Sequence, residues 1–480
     1  MKSESRPRLR CAALAAAAVL LLGAEAQRSL EGGKLAALLA SPDASIAARA
    51  ALAVGRTKRK GGIPLLEAHL TDPRDGVRAF SIYGLGLIGL GDDASKVMIL
   101  AGSDRSGAVR VAALDALGRA EEAGLLHPAV ERAAATATVR ALDGDPDPIV
   151  RGRAAITLSF FAAGPQGGRA AGALASAMGS ERDPAVRRRA MWSIFRRYAT
   201  RVPHRLLREA LHDPDEVVRI EAARAYGHLS GAAARAELRP LLADASWRVQ
   251  EQAAESERLL AGGAMNQHWT AIPPFVHVPS RRPDPLAALA ALSRPPVVAG
   301  APRPADAPAA GLLAPSSAAQ MVSPVSGPHP RLRIRTTQGN LYVVLYPEWA
   351  PLTVTNFLNL TDRGFFDDNR WFRIVPDFVV QTGEKDDKNA PGPGYTIDAE
   401  ENPIEQDSYV ISMGLNYDAK TNTPIRDSAG SEYYVTLSPQ YHLDNAFTVF
   451  GAVSGGYDVL GRLTEKDRVI RIERIPDVTL

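Results

Sequence analysis

Through residues 40–260, apolar positions recur at the three-to-four spacing of amphipathic helix, and one polar phrase interrupts them again and again. The phrase is an Asp, often with Pro after it, then an apolar–Arg pair that opens an Ala-rich run. It reads DASIAAR from Asp43, DPRDGVR from Asp72, DRSGAVR from Asp104, DPDPIVR from Asp145, DPAVR from Asp183, DPDEVVR from Asp213 and DASWRVQ from Asp244. The arginines fall at 49, 78, 110, 151, 187 and 219, with Gln250 in the last slot. Asp accepts from the free amides of a helix start and Pro suits the first turn, so each phrase predicts a helix N-terminus. Gly118 and Gly227 read as C-caps. A repeat of roughly this length is that of a stacked helical array, in which the repeated Asp and Arg cap helices and form an ion-pair ladder between repeats.

The pattern then changes twice. Residues 263–329 are rich in Pro and Ala and carry no periodicity, which predicts a semi-extended linker. From Arg331 the period drops to two. RLRIRT and NLYVVLY flank Gln338-Gly339 and read as a hairpin. APLTVTNFLNL (350–360) reads as a helix with Val354, Phe357 and Leu358 on one face. RWFRIV, DFVVQ, SYVISMG, SEYYVTLS, FTVFGAV and VIRIERI read as short strands. Many short strands with one or two helices predict a closed antiparallel barrel.

Composition adds little until it is divided. The 480 residues carry 56 basic and 53 acidic side chains, net +3, which excludes a uniformly basic nucleic-acid binder. Residues 27–262, however, carry 33 basic and 27 acidic side chains, and residues 330–480 carry 15 and 22. Opposite signs predict that the second unit docks on the first. Arg187, Arg188, Arg189, Arg196, Arg197, Arg201, Arg205 and Arg208 form the densest basic run, with no acidic residue between 187 and 208. They predict either a solvated face or a contact for an acidic partner, with Arg187, Arg188, Arg189, Arg196 and Arg197 as its candidate residues. Cys11 is the one cysteine. It lies in a segment with a basic start (Lys2, Arg6, Arg8, Arg10), an apolar run over 11–22 and Ala24-Glu25-Ala26, the layout of a secretory signal peptide over residues 1–26. The apolar run is too short to span a bilayer, so the expectation is export without a stable membrane span, into the periplasm or beyond the cell. The exported chain would have no cysteine to oxidise.

The repeats over residues 27–262 resemble HEAT-type helical repeats of the bacterial kind, in which helix pairs stack into a solenoid. Gly84-Leu85-Gly86-Leu87-Ile88-Gly89 satisfies a dinucleotide-binding string, but no strand precedes it and the reading is a helix end. The segment Trp371 to Glu384 (WFRIVPDFVVQTGE) is more specific. It resembles the cyclophilin signature F-x-R-I-x-P-x-F-x-x-Q-x-G-D. Supporting pieces follow in family order: APLTVTNFLNL, GPGYTIDAE (392–400), Gly430-Ser431-Glu432-Tyr433-Tyr434-Val435, His442-Leu443-Asp444 and Thr448-Val449-Phe450-Gly451. Residues 330–480 are thus identified as similar to a bacterial cyclophilin, and the expected fold class is multidomain: an all-α HEAT-like solenoid, then a cyclophilin-like closed antiparallel β-barrel with flanking helices.

The resemblance implies peptidyl-prolyl cis–trans isomerase (rotamase) activity on proline-containing polypeptides. It implies Arg373, Phe378 and Gln381 as catalytic residues. Val379, Tyr434, His442, Leu443 and Phe447 would line the substrate site, Gly414 and Leu415 would offer backbone to the peptide, and Glu432 stands where the family has Gln. An ionised Glu accepts but cannot donate a hydrogen bond, so Glu432 alters a contact to Arg373 or to substrate. No cofactor and no metal is implied. The nine histidines are scattered without metal-ligand spacing, and Glu384 to Lys388 reads as a solvated loop. Two functions compete: an exported isomerase that assists folding, its helical array holding protein partners, and a non-catalytic envelope scaffold whose barrel only binds proline-containing peptides.

Overall fold

The structure is a computed structural model that describes residues 33–90, 94–229, 232–262, 329–384, 392–421 and 423–475. The expected signal segment, the linker up to residue 328 and the Lys385–Lys388 loop lie outside the described residues.

Residues 34–260 form successive helix pairs. The polar phrase sits between the two helices of each pair and opens the second: Ala44–Arg56, Asp75–Ile88, Gly107–Glu122, Pro148–Leu158, Pro184–Ser193, Glu216–Gly227 and Trp247–Leu260. Asp43, Asp147, Asp183 and Asp215 cap their helices through the side chain. The ladder arginine of each phrase reaches forward to the next phrase. Arg78 pairs with Asp104, Arg110 with Asp145, Arg151 with Glu181, Arg187 with Asp213 and Arg219 with Asp244, each through two N–H groups at 2.7–3.2 Å. Arg78, Arg110, Arg151 and Arg219 also each donate to the backbone carbonyl six residues earlier, and Gln250 does the same through its amide. The fork geometry of guanidinium suits this double duty. Glu181 takes the ladder position in the fifth phrase, two residues before the Asp183 from which that phrase was read.

Two glycine readings need correction. Gly118 is no C-cap: it lies inside the helix Gly107–Glu122, where a Cβ would come 2.8 Å from the Phe160 ring. Gly84 lies inside Asp75–Ile88, where it lets that helix cross Gly55 at backbone contact. The G-x-G-x-x-G string therefore serves helix packing, and Gly89 ends the helix with φ 112. The basic run is also not one open face. Arg187 and Arg188 are paired with Asp213 and Asp215, and Arg189 is turned onto Glu405 of the β domain. Arg196 and Arg197 remain exposed in a π-helical turn, Ile194–Tyr198.

Nine strands follow: β1 (Arg331–Thr336), β2 (Gly339–Leu345), β3 (Asn369–Arg370), β4 (Arg373–Val375), β5 (Val379–Thr382), β6 (Val410–Met413), β7 (Tyr433–Thr436), β8 (Val449–Gly455) and β9 (Arg468–Ile475). They form one antiparallel sheet in the order β3-β9-β1-β2-β8-β6-β7-β5-β4. The segment RWFRIV does not form one strand. It breaks at Trp371-Phe372, so the two end strands of the sheet are consecutive in the chain and the curled sheet comes round on itself at that kink. The alternation in β1 and β2 buries Leu332, Ile334, Leu341, Val343 and Leu345. The helix Pro351–Asp362 closes one side, with Phe357 packed against Phe366, Tyr433 and Phe450 at ring distances of 4.8–5.2 Å.

The β domain rests on the row of second helices. Arg56 donates to the carbonyls of Glu401 (2.7 Å) and Trp349 (3.0 Å), and Phe80 packs on Trp349. Arg153 donates to Glu405 at 2.6 Å and lies within ion-pair range of Asp444 and Asp115. Arg189 donates to the second oxygen of Glu405. Trp192 packs edge-on to Tyr441, Arg224 donates to the Asp377 carbonyl at 2.6 Å, and Arg248 to that of Leu437 at 2.6 Å. Trp247 lies against Gly461, where any Cβ would overlap the indole. The docking expected from opposite net charges is thus made by a few buried arginines on a few acids and carbonyls, because a charge taken from water needs a partner with good geometry.

Burial alone would raise the Glu405 carboxyl, but Arg189 and Arg153 outweigh it and hold it below the ordinary range. Glu405→Gln leaves two buried arginines beside a neutral group, and the full chain should lose about 3 kcal/mol in chemical denaturation. Acid should act in the same direction. A carboxyl depressed in the folded state contributes its stability fully at neutral pH and loses it as pH falls below about 4. An unchanged midpoint in the variant would refute this account of the interface.

Candidate active site

Strand register brings the signature residues into one line. Arg373 pairs with Gln381 across β4–β5, Gln381 with Tyr434 across β5–β7, and Tyr434 with Ser412 across β7–β6. Side chains alternate between faces along a strand. The adjoining row, Ile374, Val380, Val435 and Ile411, therefore points the other way into the core. Val379, two residues from Gln381, shares its face and is buried.

The turn between β4 and β5 presents Phe378. Pro376 holds the first corner, Asp377 takes a left-handed conformation (φ 49), and the Phe378 amide donates to the Val375 carbonyl at 3.1 Å. A positive φ at the second corner is the mark of a type II-like turn, and Asp tolerates it better than most residues. The Asp377 carbonyl accepts from Arg224, from Gln440 Nε2 at 3.0 Å and from Ser438 Oγ. Phe378 then lies half-buried under Arg373, whose Cζ is 5.4 Å from the ring centroid. His442 stacks on Phe378 at 6.0 Å and 17°, and Phe447 meets Tyr434 edge-on at 5.8 Å. Leu443 is half-buried beside them. Arg373, Phe378, Val379, Gln381, Tyr434, His442, Leu443 and Phe447 thus assemble at one end of the sheet as an apolar hollow under a guanidinium.

Hydrogen bonding orients the polar side. Arg373 Nη1 donates to Gln381 Oε1 at 3.0 Å, and Gln381 Nε2 donates to Glu432 Oε1. The other guanidinium N–H groups of Arg373 have no partner among the described residues. Burial lowers the Arg373 pKa, and Tyr417 and Glu432 oppose that shift. Burial raises the Glu432 carboxyl to about 7; Glu384 adds to the rise, and Gln381 and Arg373 oppose it. The polar end of the site is therefore a relay from guanidinium to amide to carboxyl, with the pKa of the last group pushed up toward neutral pH.

Gly414 and Leu415 stand less open than expected. The Gly414 amide donates to the Glu432 carbonyl at 2.8 Å, a Cβ at 414 would run into the Glu432 side chain, and Leu415 is buried. Sequence reading missed the array's contribution. Trp192 and Arg224 reach the back of the hollow, and Tyr417, half exposed, borders Arg373. The missed signal is positional: Tyr83, Asp115, Ile156, Trp192 and Arg224 all lie five residues after a ladder arginine, on the face that meets the β domain.

Comparison with known proteins assigns both parts. The family described as cyclophilin type peptidyl-prolyl cis-trans isomerase/CLD matches residues 331–476, and HEAT repeats match residues 34–118 and 204–259. Peptidyl-prolyl cis-trans isomerase B of Bacillus subtilis is 35% identical over 133 residues, covering 27% of this chain and 87% of that protein. Peptidyl-prolyl cis-trans isomerase CYP18-2 of Arabidopsis thaliana is 32% identical over 137 residues, covering 28% and 82%. Among solved structures, a cyclophilin type isomerase of Cryptosporidium parvum covers 31% of this chain and 99% of its own, at 21% identity and a TM-score of 0.29.

The relay predicts a titration that spectroscopy can follow. A carboxyl resonance assigned to Glu432 should shift with a midpoint near pH 7. Glu384→Gln should lower that midpoint and Arg373→Leu should raise it, since one removes a like charge and the other an opposite one. A midpoint at the ordinary carboxylate value in all three proteins would contradict the geometry.

Proposed function

The chain belongs to the cyclophilin-type peptidyl-prolyl cis-trans isomerase family, and on that premise we propose that it is an exported isomerase assisting protein folding, with Arg373, Phe378 and Gln381 as its catalytic residues. The observation that carries the reading is the half-buried Arg373 guanidinium, fixed by Gln381 and poised over the Phe378 ring. Rotation about an amide crosses a barrier of about 18–20 kcal/mol because the C–N bond has double-bond character. The reaction breaks no covalent bond, so the site must bind the twisted amide better than either planar isomer. In the twisted state the proline nitrogen regains its lone pair and accepts a hydrogen bond. Arg373 supplies that donor from a fixed position, so no reorganisation is needed as the charge shifts. The apolar hollow of Phe378, Val379, Tyr434, Leu443 and Phe447 receives the proline ring, with His442 as part of its wall. Gln381 orients the peptide backbone as well as the arginine.

Export rests on the signal-like segment 1–26, and the periplasm is the compartment it best fits. The helical array keeps a role in binding protein, but its row of second helices is taken by the β domain. A partner is left the row of first helices and the exposed π-helical turn carrying Arg196 and Arg197.

Two experiments test this reading. The full chain should accelerate cis–trans exchange of an Ala-Pro peptide, and Arg373→Ala should lower kcat/KM by about 100-fold or more while the melting temperature holds. A folded wild-type chain with no rate above background would leave only the peptide-binding scaffold. For export, residues 1–40 fused to a reporter that is active only outside the cytoplasm should give activity, and replacing the 11–22 run with polar residues should abolish it. Activity that survives that replacement would refute the signal.

A further inference from the structure

We propose that the helical array is part of the isomerase site: Trp192 and Arg224 are positioning residues that set the floor of the proline pocket through His442 and Asp377. The inference rests on the isomerase reading above and goes beyond it by assigning catalytic positioning to residues more than a hundred positions before the β domain.

The first line of contact is a stack of rings. Trp192 faces His442 at 6.4 Å and 18°, and His442 faces Phe378 at 6.0 Å and 17°. Arg373 lies on Phe378. Four planar groups therefore run from the helix Pro184–Ser193 to the catalytic guanidinium. Trp192 is 2% exposed and is itself wedged by Tyr441 and Ile156, so the end of the stack is fixed. The imidazole is suited to such a stack. Burial, with Arg196, Arg224 and Arg197 of the array, pushes His442 down to about 3, so the ring stays neutral at any working pH. A Phe378 ring held between His442 and Arg373 has little freedom about its side-chain torsions.

The second line is polar. Arg224 Nη2 donates to the Asp377 carbonyl at 2.6 Å, within the left-handed turn that presents Phe378. Arg224 is held in turn by Glu221 at 3.2 Å and by the Phe195 ring at 5.0 Å. Of the other docking arginines, Arg56 ends on Glu401 and Trp349 and Arg153 and Arg189 end on Glu405, away from the ring, while Arg248 ends on the Leu437 carbonyl, whose own amide donates to the Phe378 carbonyl at 2.8 Å. Trp192 abuts His442, the group stacked on the Phe378 ring, and Arg224 holds the Asp377 carbonyl of the turn that presents it. A side chain displaced by a fraction of an ångström at that ring moves the proline relative to Arg373, and small misplacements carry large rate penalties.

The test uses the full chain and reads kcat, KM, melting temperature and the calorimetric Kd of a proline-containing tetrapeptide. Trp192→Ala should lower kcat/KM and weaken peptide binding by about tenfold, and Trp192→Phe should restore most of both. In a His442→Ala background, Trp192→Ala should cost under about twofold more, because the path is already cut. Arg224→Met should give a comparable loss by the second route and serves if Trp192→Ala does not fold. Glu405→Gln, which weakens docking away from the pocket, should lower the melting temperature and leave kcat/KM near wild type. The proposal is overturned if Trp192→Ala and Arg224→Met keep wild-type kcat/KM and Kd, if the Trp192 and His442 losses multiply, or if Glu405→Gln loses as much activity as Trp192→Ala. A wild-type chain with no rate would defeat the isomerase reading, and the peptide Kd series would still decide this one.

Discussion

Glu405 is the constraint on which the arrangement of this molecule turns. It is 2% exposed, and both of its oxygens are taken by arginines from the helical array. A carboxylate so buried is tolerable only with Arg153 and Arg189 beside it, and Glu405 is the acid that those two arginines share. The segment around it, from Glu400 to Gln406, is almost wholly removed from water. Its neighbours are satisfied in different ways. Glu400 accepts from the Leu352 and Thr353 amides that open the helix Pro351–Asp362, and Glu401 accepts from Arg426 and pairs with Lys58. One acidic loop thereby fastens the β domain both to its own helix and to the array.

Much of this was legible in the sequence because it repeats or alternates. The ladder was written in the spacing of the arginines, and the forked pairs from Arg78 to Arg219 show why the residue is Arg each time. The strands from Arg331 onward follow from alternation, and the signature from Trp371 to Glu384 marked the residues that converge around Phe378. The errors have the same physical root. Gly118 was read as an ending because glycine is common there, whereas tight packing on Phe160 demands glycine for want of space. The basic run from Arg187 to Arg208 reads as one open face, solvated or turned to an acidic partner, because its acids are distant in sequence. Asp213, Asp215 and Glu405 lie 26 to 216 residues away from the arginines they hold, and one-dimensional charge counting cannot see them.

The site illustrates how a local substitution is absorbed. Glu432, two residues from Tyr434, places a carboxyl where the cyclophilin pattern that the sequence resembles has Gln. The surrounding burial, with Glu384 near, raises its pKa to about 7, which favours the neutral form far more than an exposed carboxyl would. A neutral carboxyl carries both a donor and an acceptor, as an amide does. The relay from Arg373 through Gln381 therefore survives the change, with a protonation equilibrium now built into it.

The docked arrangement also bears on how such a molecule can evolve. Helical repeat arrays ordinarily gain and lose units with little penalty, since each unit touches only its neighbours. Here the units carry different contacts to the β domain: Arg56 and Phe80 converge on Trp349, Arg153 and Arg189 on Glu405, Trp192 meets Tyr441, Arg224 the Asp377 carbonyl and Arg248 that of Leu437. Duplicating or deleting a single repeat would slide every later side chain one unit past its target, as a vernier slips by one mark. A change in the number of units between Arg56 and Arg248 would therefore break several of these contacts at once.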